Sequence, residues 1–130
     1  MKISLASVSV ADQQTALDFY TEKLGFVKKS DVPLGKNRWL TVVSADDENG
    51  PELVLEPNAD YPAMKALKEA LVKDGIPFTA FEVDDLDTEY RRMVDLGVLF
   101  VGEPIDGPGA RYAVLDDTCG NLIQIYEIID

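Results

Sequence analysis

The groups of this 130-residue chain best suited to chemistry in an apolar setting are a carboxylate at Glu56, an amide at Gln124 and a phenol at Tyr126. Ser7, Arg38 and Arg111 add polar reach, while Leu5, Trp39, Val54 and Phe78 supply apolar and aromatic surface. Glu56 is the group suited to act as a base, with Arg38 or Arg111 stabilising an anionic intermediate. Gln124 can orient a ligand but cannot shuttle protons at neutral pH. The chain has no histidine. The commonest general base and the commonest nitrogen ligand for zinc or iron are therefore missing. Cys119 follows two aspartates in a turn, Asp116 and Asp117, and their charge raises a thiol pKa, which disfavours a nucleophile.

The bulk properties narrow the partners. A net charge of −12 repels a phosphate backbone and an anionic membrane surface, so neither nucleic acid nor membrane is expected. The same charge favours a cationic or aromatic small molecule. No apolar run approaches the length that spans a bilayer, and the N-terminal MKISLASVSVAD alternates as a strand does, unlike a secretory leader. A cytoplasmic protein is expected. One cysteine excludes an internal disulfide framework.

The elements that must position these groups follow from periodicity and punctuation. Residues 3–10 alternate in part as a strand, Asp12 caps a helix over QQTALDFYTEKL, and Gly25 ends it. Strands follow over Phe26–Asp31, Arg38–Ser44 and Leu53–Glu56, with turns expected at Val32–Gly35 and Asp46–Pro51. Residues 58–75 form a connecting helix whose Met64, Leu67 and Leu71 stripe is expected to pack on its own module. A strand over Pro77–Val83, a helix capped by Asp85, and strands at Val98–Val101, Arg111–Leu115 and Asn121–Glu127 complete the chain, with Ile105–Gly109 as a loop.

The second half repeats the first. SVADQQTALDFYTEKLGF, Ser9 to Phe26, returns in altered form as EVDDLDTEYRRMVDLGVLF, Glu82 to Phe100. Val10 matches Val83, Asp12 matches Asp85, Thr15 matches Thr88, and Leu24-Gly25 matches Leu96-Gly97 after one residue is dropped. The reading is one α+β domain of two tandem βαβββ modules, module one 1–57 and module two 76–130, joined by the 58–75 helix.

FYTEKLGF, the repeat, and the closing DDTCGNLIQIYE together resemble the vicinal oxygen chelate superfamily, which includes glyoxalase I, the bleomycin-resistance proteins and the extradiol dioxygenases. The resemblance implies a glyoxalase/bleomycin-resistance-like fold, a mixed sheet curled around a cleft, and a homodimer. It also implies four metal-ligand places. These fall on Leu5, on Phe78, on Gln124 and near Val54–Glu56, where only Glu56 offers a carboxylate. No metal and no other cofactor is expected from such a set. Strand alternation gives the cleft Leu5, Ser7, Val54, Glu56, Phe78, Gln124 and Tyr126, with Trp39 or Arg38 and Arg111 or Tyr112 entering beside them. The function expected is metal-free binding of a small molecule in that cleft. The alternative is a lyase, isomerase or dioxygenase with a non-standard metal site, in which Glu56 serves as base or ligand.

Overall fold

In the computed structural model, which describes residues 1–129, the chain divides into two units, Met1–Leu67 and a second beginning at Lys68. In the first, β1 (Leu5–Ser9) leads to Asp12, whose extended backbone and carboxylate take the Thr15 N–H at 2.8 Å. That bond satisfies a first-turn donor and starts α1 (Gln13–Asp18). The helix widens into a π-helical turn over Phe19–Lys23. There the Thr21 hydroxyl donates to the Leu17 carbonyl at 2.7 Å, and the Leu24 N–H reaches five residues back to Phe19. A hydroxyl bonded into the ladder loosens its regular spacing. Gly25, at φ 87°, turns the chain out.

Three strands follow: β2 (Val27–Leu34), β3 (Asn37–Val43) and β4 (Glu52–Glu56). They form a sheet in the order β1-β4-β3-β2, with β1 parallel to β4 and the other pairs antiparallel. The connecting helix α2 (Pro62–Lys73) crosses the division between the units.

The second unit repeats the plan. β5 (Thr79–Glu82) leads to Asp85, whose carboxylate caps α3 (Leu86–Asp95) by accepting the Thr88 N–H at 3.1 Å. β6 (Ile105–Gly107), β7 (Ala110–Asp116) and β8 (Leu122–Ile128) then build a sheet in the order β5-β8-β7-β6, again with its first pair parallel. The α+β class and the two tandem modules are as the repeat requires.

Paired residues of neighbouring strands project to one side of a sheet, and successive residues alternate. In the first unit one side carries Val8, Leu40, Val42, Leu53 and Leu55, buried together with Ala16 and Tyr20. In the second, Ala113, Leu115, Ile123 and Ile125 are buried with Leu86 and Met93 of α3. These are the helix-bearing faces and the core. The opposite side of each sheet is called the far face below.

Four local expectations are corrected. Val32–Gly35 is not a turn: β2 continues through Pro33 to Leu34, and the hairpin closes on Gly35-Lys36 between the paired Leu34 and Asn37. Gly35 at φ 60° supplies the positive dihedral that a two-residue hairpin turn needs. Ile105–Gly109 is not a loop but half a hairpin, closed by Pro108 and by Gly109 at φ 76°. Val98–Val101 makes only an isolated bridge, Phe100 to Leu115, beside β7. The apolar stripe of α2 is only partly covered: Met64 and Leu71 are half-buried, but Leu67 is 47% exposed, while Lys68 of the same helix is buried.

Candidate functional site

The far face of the first sheet gathers most of the expected site residues of that unit. Register aligns Leu5 with Glu52, Ser7 with Val54 and Ser9 with Glu56 across β1 and β4. Thr41 pairs with Val54, and Trp39 with Val32, so both belong to the same face. Its middle is buried at Val54 and Thr41, its edge is open at Leu5 and Ser7, and Trp39 and Glu56 are half-buried. Glu52 is held in place: the Thr41 hydroxyl donates to its carboxylate at 2.7 Å and takes the Ser30 N–H at 3.1 Å. Glu52 and Glu56 share a face about 13 Å apart along the strand, four residues at about 3.3 Å each.

In the second unit the far face brings together Phe78, Gln124 and Tyr126. Phe78 donates its N–H to the Leu122 carbonyl at 2.8 Å. Gln124 pairs with Ala80 and Val114, and Tyr126 with Glu82 and Tyr112. All of Phe78, Gln124, Tyr126 and Tyr112 are half-buried.

Arg38 and Arg111 stand on the other side. Alternation puts Trp39 and Tyr112 on the far faces and the preceding arginines on the helix-bearing faces. Arg38 donates through Nε and Nη2 to Asp31 at 3.0 and 2.7 Å and through Nη1 to Gln14 of α1 at 2.9 Å. Its guanidinium pulls the Asp31 carboxyl down to about 2. Arg111 donates to Asp106 at 2.6 Å and to Asp87 of α3 at 3.0 and 3.3 Å, and Asp87 is likewise shifted below the usual carboxylate range by Arg111. A base at Glu56 working against a facing Arg38 therefore has that arginine on the opposite side of its own sheet.

The sorting of charge is general. Among the described residues no lysine or arginine holds a paired position on either far face, whereas Glu52, Glu56, Glu82 and Asp116 do. Near Glu56 lies a signal with no counterpart in the periodicity. Asn58 donates its N–H to the Glu56 carbonyl at 2.9 Å, and its side-chain oxygen is buried with no donor among the described residues. Such an oxygen costs stability unless a donor reaches it.

The donor set does not suit the metal that the fold is known for. Leu5 and Phe78 offer no lone pair, and Gln124 is a neutral amide. Glu56 stands level with Ser9, while the carboxylate level with Leu5, Glu52, is engaged by Thr41. Among the described residues no cluster of three or more His, Cys, Asp or Glu side chains could hold a metal ion. Three or four strong ligands are needed for zinc or iron.

Cys119 lies in the β7–β8 turn, away from these faces in register. Asp117 accepts the Cys119 and Asn121 N–H groups at 2.7 and 3.1 Å, and the buried Lys68 amine donates to the Cys119 carbonyl at 2.8 Å. Burial, aided by the Asp117 charge, pushes the thiol up to about 12. Burial also pushes the Lys68 amine down.

The two βαβββ units and their paired sheets are those of one family. The sequence profile of the Glyoxalase/Bleomycin resistance protein/Dioxygenase superfamily matches residues 2–125, and the chain belongs to that superfamily. It is 53% identical over 127 residues to YurT of Bacillus subtilis (strain 168), an uncharacterised protein, covering 98% of this chain and 99% of YurT. Among solved structures it resembles UcmS2, with TM-score 0.81 and 33% identity over 97% of each chain. It also resembles TnmS3, described as an antibiotic binding protein from Streptomyces sp. CB03234, with TM-score 0.77 and 30% identity over 99% of this chain and 97% of that one. Among the described residues no helix is long and apolar enough to cross a membrane.

Proposed function

We propose that this protein binds a small aromatic molecule bearing positive charge, on the far faces of its sheets and without a metal. The observation that carries the reading is the sorting of charge. Both arginines of the sheets are turned to a helix, and the charged groups at paired far-face positions are carboxylates, on faces that carry Trp39 in the first unit and Tyr112 and Tyr126 in the second. Aromatic rings give flat apolar area, and carboxylates beside them favour a cation over an anion of the same size. The likeness to TnmS3 supports small-molecule binding as the use of this scaffold. Sequestration needs no base and no metal, which agrees with the donor set at Leu5, Phe78, Gln124 and Glu56.

The test uses Trp39, the one tryptophan in the chain. Its emission is followed while proflavine, a planar aromatic cation, is titrated in, and the titration is repeated with anilinonaphthalene sulfonate, an aromatic anion. Proflavine is expected to bind at least about ten-fold more tightly than the anion, a preference of about 1.4 kcal/mol. Glu56→Gln should remove several-fold of that preference, weakening proflavine and easing binding of the anion. Equal affinity for both probes, or a preference for the anion, would sink the charge argument. Metal content of the purified protein, read in parallel, separates this reading from the lyase or dioxygenase alternative.

A further inference from the structure

The two arginines that leave the far faces do something there at one remove. In each unit the arginine lies in the strand that follows the hairpin turn, next to the aromatic that the far face presents: Arg38 before Trp39, Arg111 before Tyr112. Each reaches two places at once. One is an aspartate on the other strand of the same hairpin, Asp31 for Arg38 and Asp106 for Arg111. The other is the second residue of the unit's helix, Gln14 of α1 or Asp87 of α3. A guanidinium's planar fork fixes direction as well as distance, so each arginine clasps a hairpin to a helix start.

The two clasps are not copies. Asp106 pairs directly with Arg111, whereas the residue paired with Arg38 is Pro33, and the carboxylate comes from Asp31, two residues earlier in β2. The helix contact is an amide in one unit and a carboxylate in the other. The same hold is reached through different residues, which marks the hold itself as what the two sites share.

The Gln13 amide holds the Arg38 backbone through its N–H and carbonyl, and the arginine side chain adds the hold on the hairpin's other strand; the far sides of both hairpins are open. Val32, Leu34 and Ile105, on their far faces, are 55%, 61% and 53% exposed. β6 has three residues, too few for a strand pair to be stable by itself. In a strand, fixing residue i fixes the opposite projection of residue i+1. We infer that Arg38 and Arg111 are positioning residues that set how Trp39 and Tyr112 are presented to a ligand on the far faces. The inference rests on the proposed binding role for its consequence, but its first readout needs no ligand.

The experiment compares acrylamide quenching of Trp39 in the intact protein, Arg38→Gln, Arg38→Lys, Asp31→Asn and Arg111→Gln, followed by proflavine titration of each. Arg38→Gln is expected to raise the quenching constant roughly two-fold, with a small change in Tm, because the ion pair is half-exposed. Arg38→Lys should not restore it, since an ammonium cannot bridge Asp31 and Gln14 with fixed geometry. Asp31→Asn loosens the same clasp from its other side and serves if Arg38→Gln fails to fold. Arg111→Gln, in the other unit, should leave Trp39 quenching as it is. Unchanged quenching in Asp31→Asn and in a folded Arg38→Gln overturns the inference, as does full rescue by lysine. If wild-type protein ignores proflavine while quenching responds as expected, the binding role fails and the positioning stands. Where proflavine binds, loss of the clasp should weaken it by about five-fold.

Discussion

Replacing Gln13 by alanine should cost more stability than any surface substitution in the chain. Gln13 opens α1 and is buried, and its amide makes three bonds across the first unit. Its Nε2 donates to the Arg38 carbonyl at 2.7 Å and the Leu55 carbonyl at 2.9 Å, and its Oε1 accepts the Arg38 N–H at 2.9 Å. One side chain thus stitches the helix to β3 and β4 beside Trp39. Three neutral hydrogen bonds contribute about 3 kcal/mol net at about 1 kcal/mol each, and stranding their backbone partners adds to that where water cannot follow. We expect Gln13→Ala to lose about 2–4 kcal/mol, or roughly 8–15 °C in Tm for a chain of this size. Urea unfolding followed by far-ultraviolet dichroism and by Trp39 emission measures it. Gln13→Glu sharpens the test. It keeps the acceptor for the Arg38 N–H but sets a carboxylate oxygen against two carbonyls, so it should be at least as damaging at neutral pH. It should recover partly in acid, when the protonated carboxyl can donate again. A loss under about 1 kcal/mol for Gln13→Ala would refute the reasoning.

Two further outcomes follow from titrating groups. The Asp31 carboxyl is held at about 2 in the fold by Arg38, below its unfolded value. Its contribution is therefore present above the ordinary carboxylate range and is lost as pH falls from about 4 through about 2; stability curves against pH for wild type and Asp31→Asn should converge in that window and separate above it. Cys119, with its thiol pushed up to about 12 by burial and Asp117, should be nearly inert to a thiol-specific disulfide reagent at pH 8, with a thiolate fraction of about 10⁻⁴. Guanidinium should release the reaction, and rapid labelling of the native protein would contradict the burial of the turn.

The elements that periodicity and caps define were legible in the sequence. Asp12 and Asp85 each bond the N–H three residues on, at Thr15 and Thr88, as their spacing in the repeat announces. Alternation placed Leu5, Ser7, Val54 and Glu56 on one face and Val8, Leu53 and Leu55 on the other, and the β1–β4 register agrees. What local pattern could not reveal is which of two adjacent residues meets a helix. Arg38 and Trp39 alternate whichever way the strand is turned, and only the bonds to Gln14 and Asp31 say which side is which. Pro33 misled because proline reads as a turn, although it is tolerated on an edge strand such as β2. The α2 stripe misled because periodicity records an apolar face without recording what covers it, and Leu67 is half-exposed.

The duplication separates positions that packing holds alike in both units from positions that it leaves free to change. On the helix-bearing faces most equivalent positions keep their chemical type, Val10 and Val83, Leu53 and Ile123, Leu55 and Ile125, Val42 and Leu115, Arg38 and Arg111, while Pro33 and Asp106 beside the arginines differ. The apolar ones answer to packing, which demands volume and apolarity in both units alike, and the arginines to their ion pairs. On the far faces Leu5 and Phe78, Val32 and Ile105, and Trp39 and Tyr112 stay apolar or aromatic, but other equivalents diverge: Ser9 against Glu82, Val43 against Asp116, Glu52 against Leu122, Val54 against Gln124, Glu56 against Tyr126. Carboxylates in one unit are replaced by apolar or neutral groups in the other, in both directions. Solubility alone asks for charge but not for this exchange, since any scatter of carboxylates would serve it. The exchange leaves each far face with its own chemistry, Glu52 and Glu56 in the first unit against Leu122 and Tyr126 in the second, on a scaffold that stays repeated.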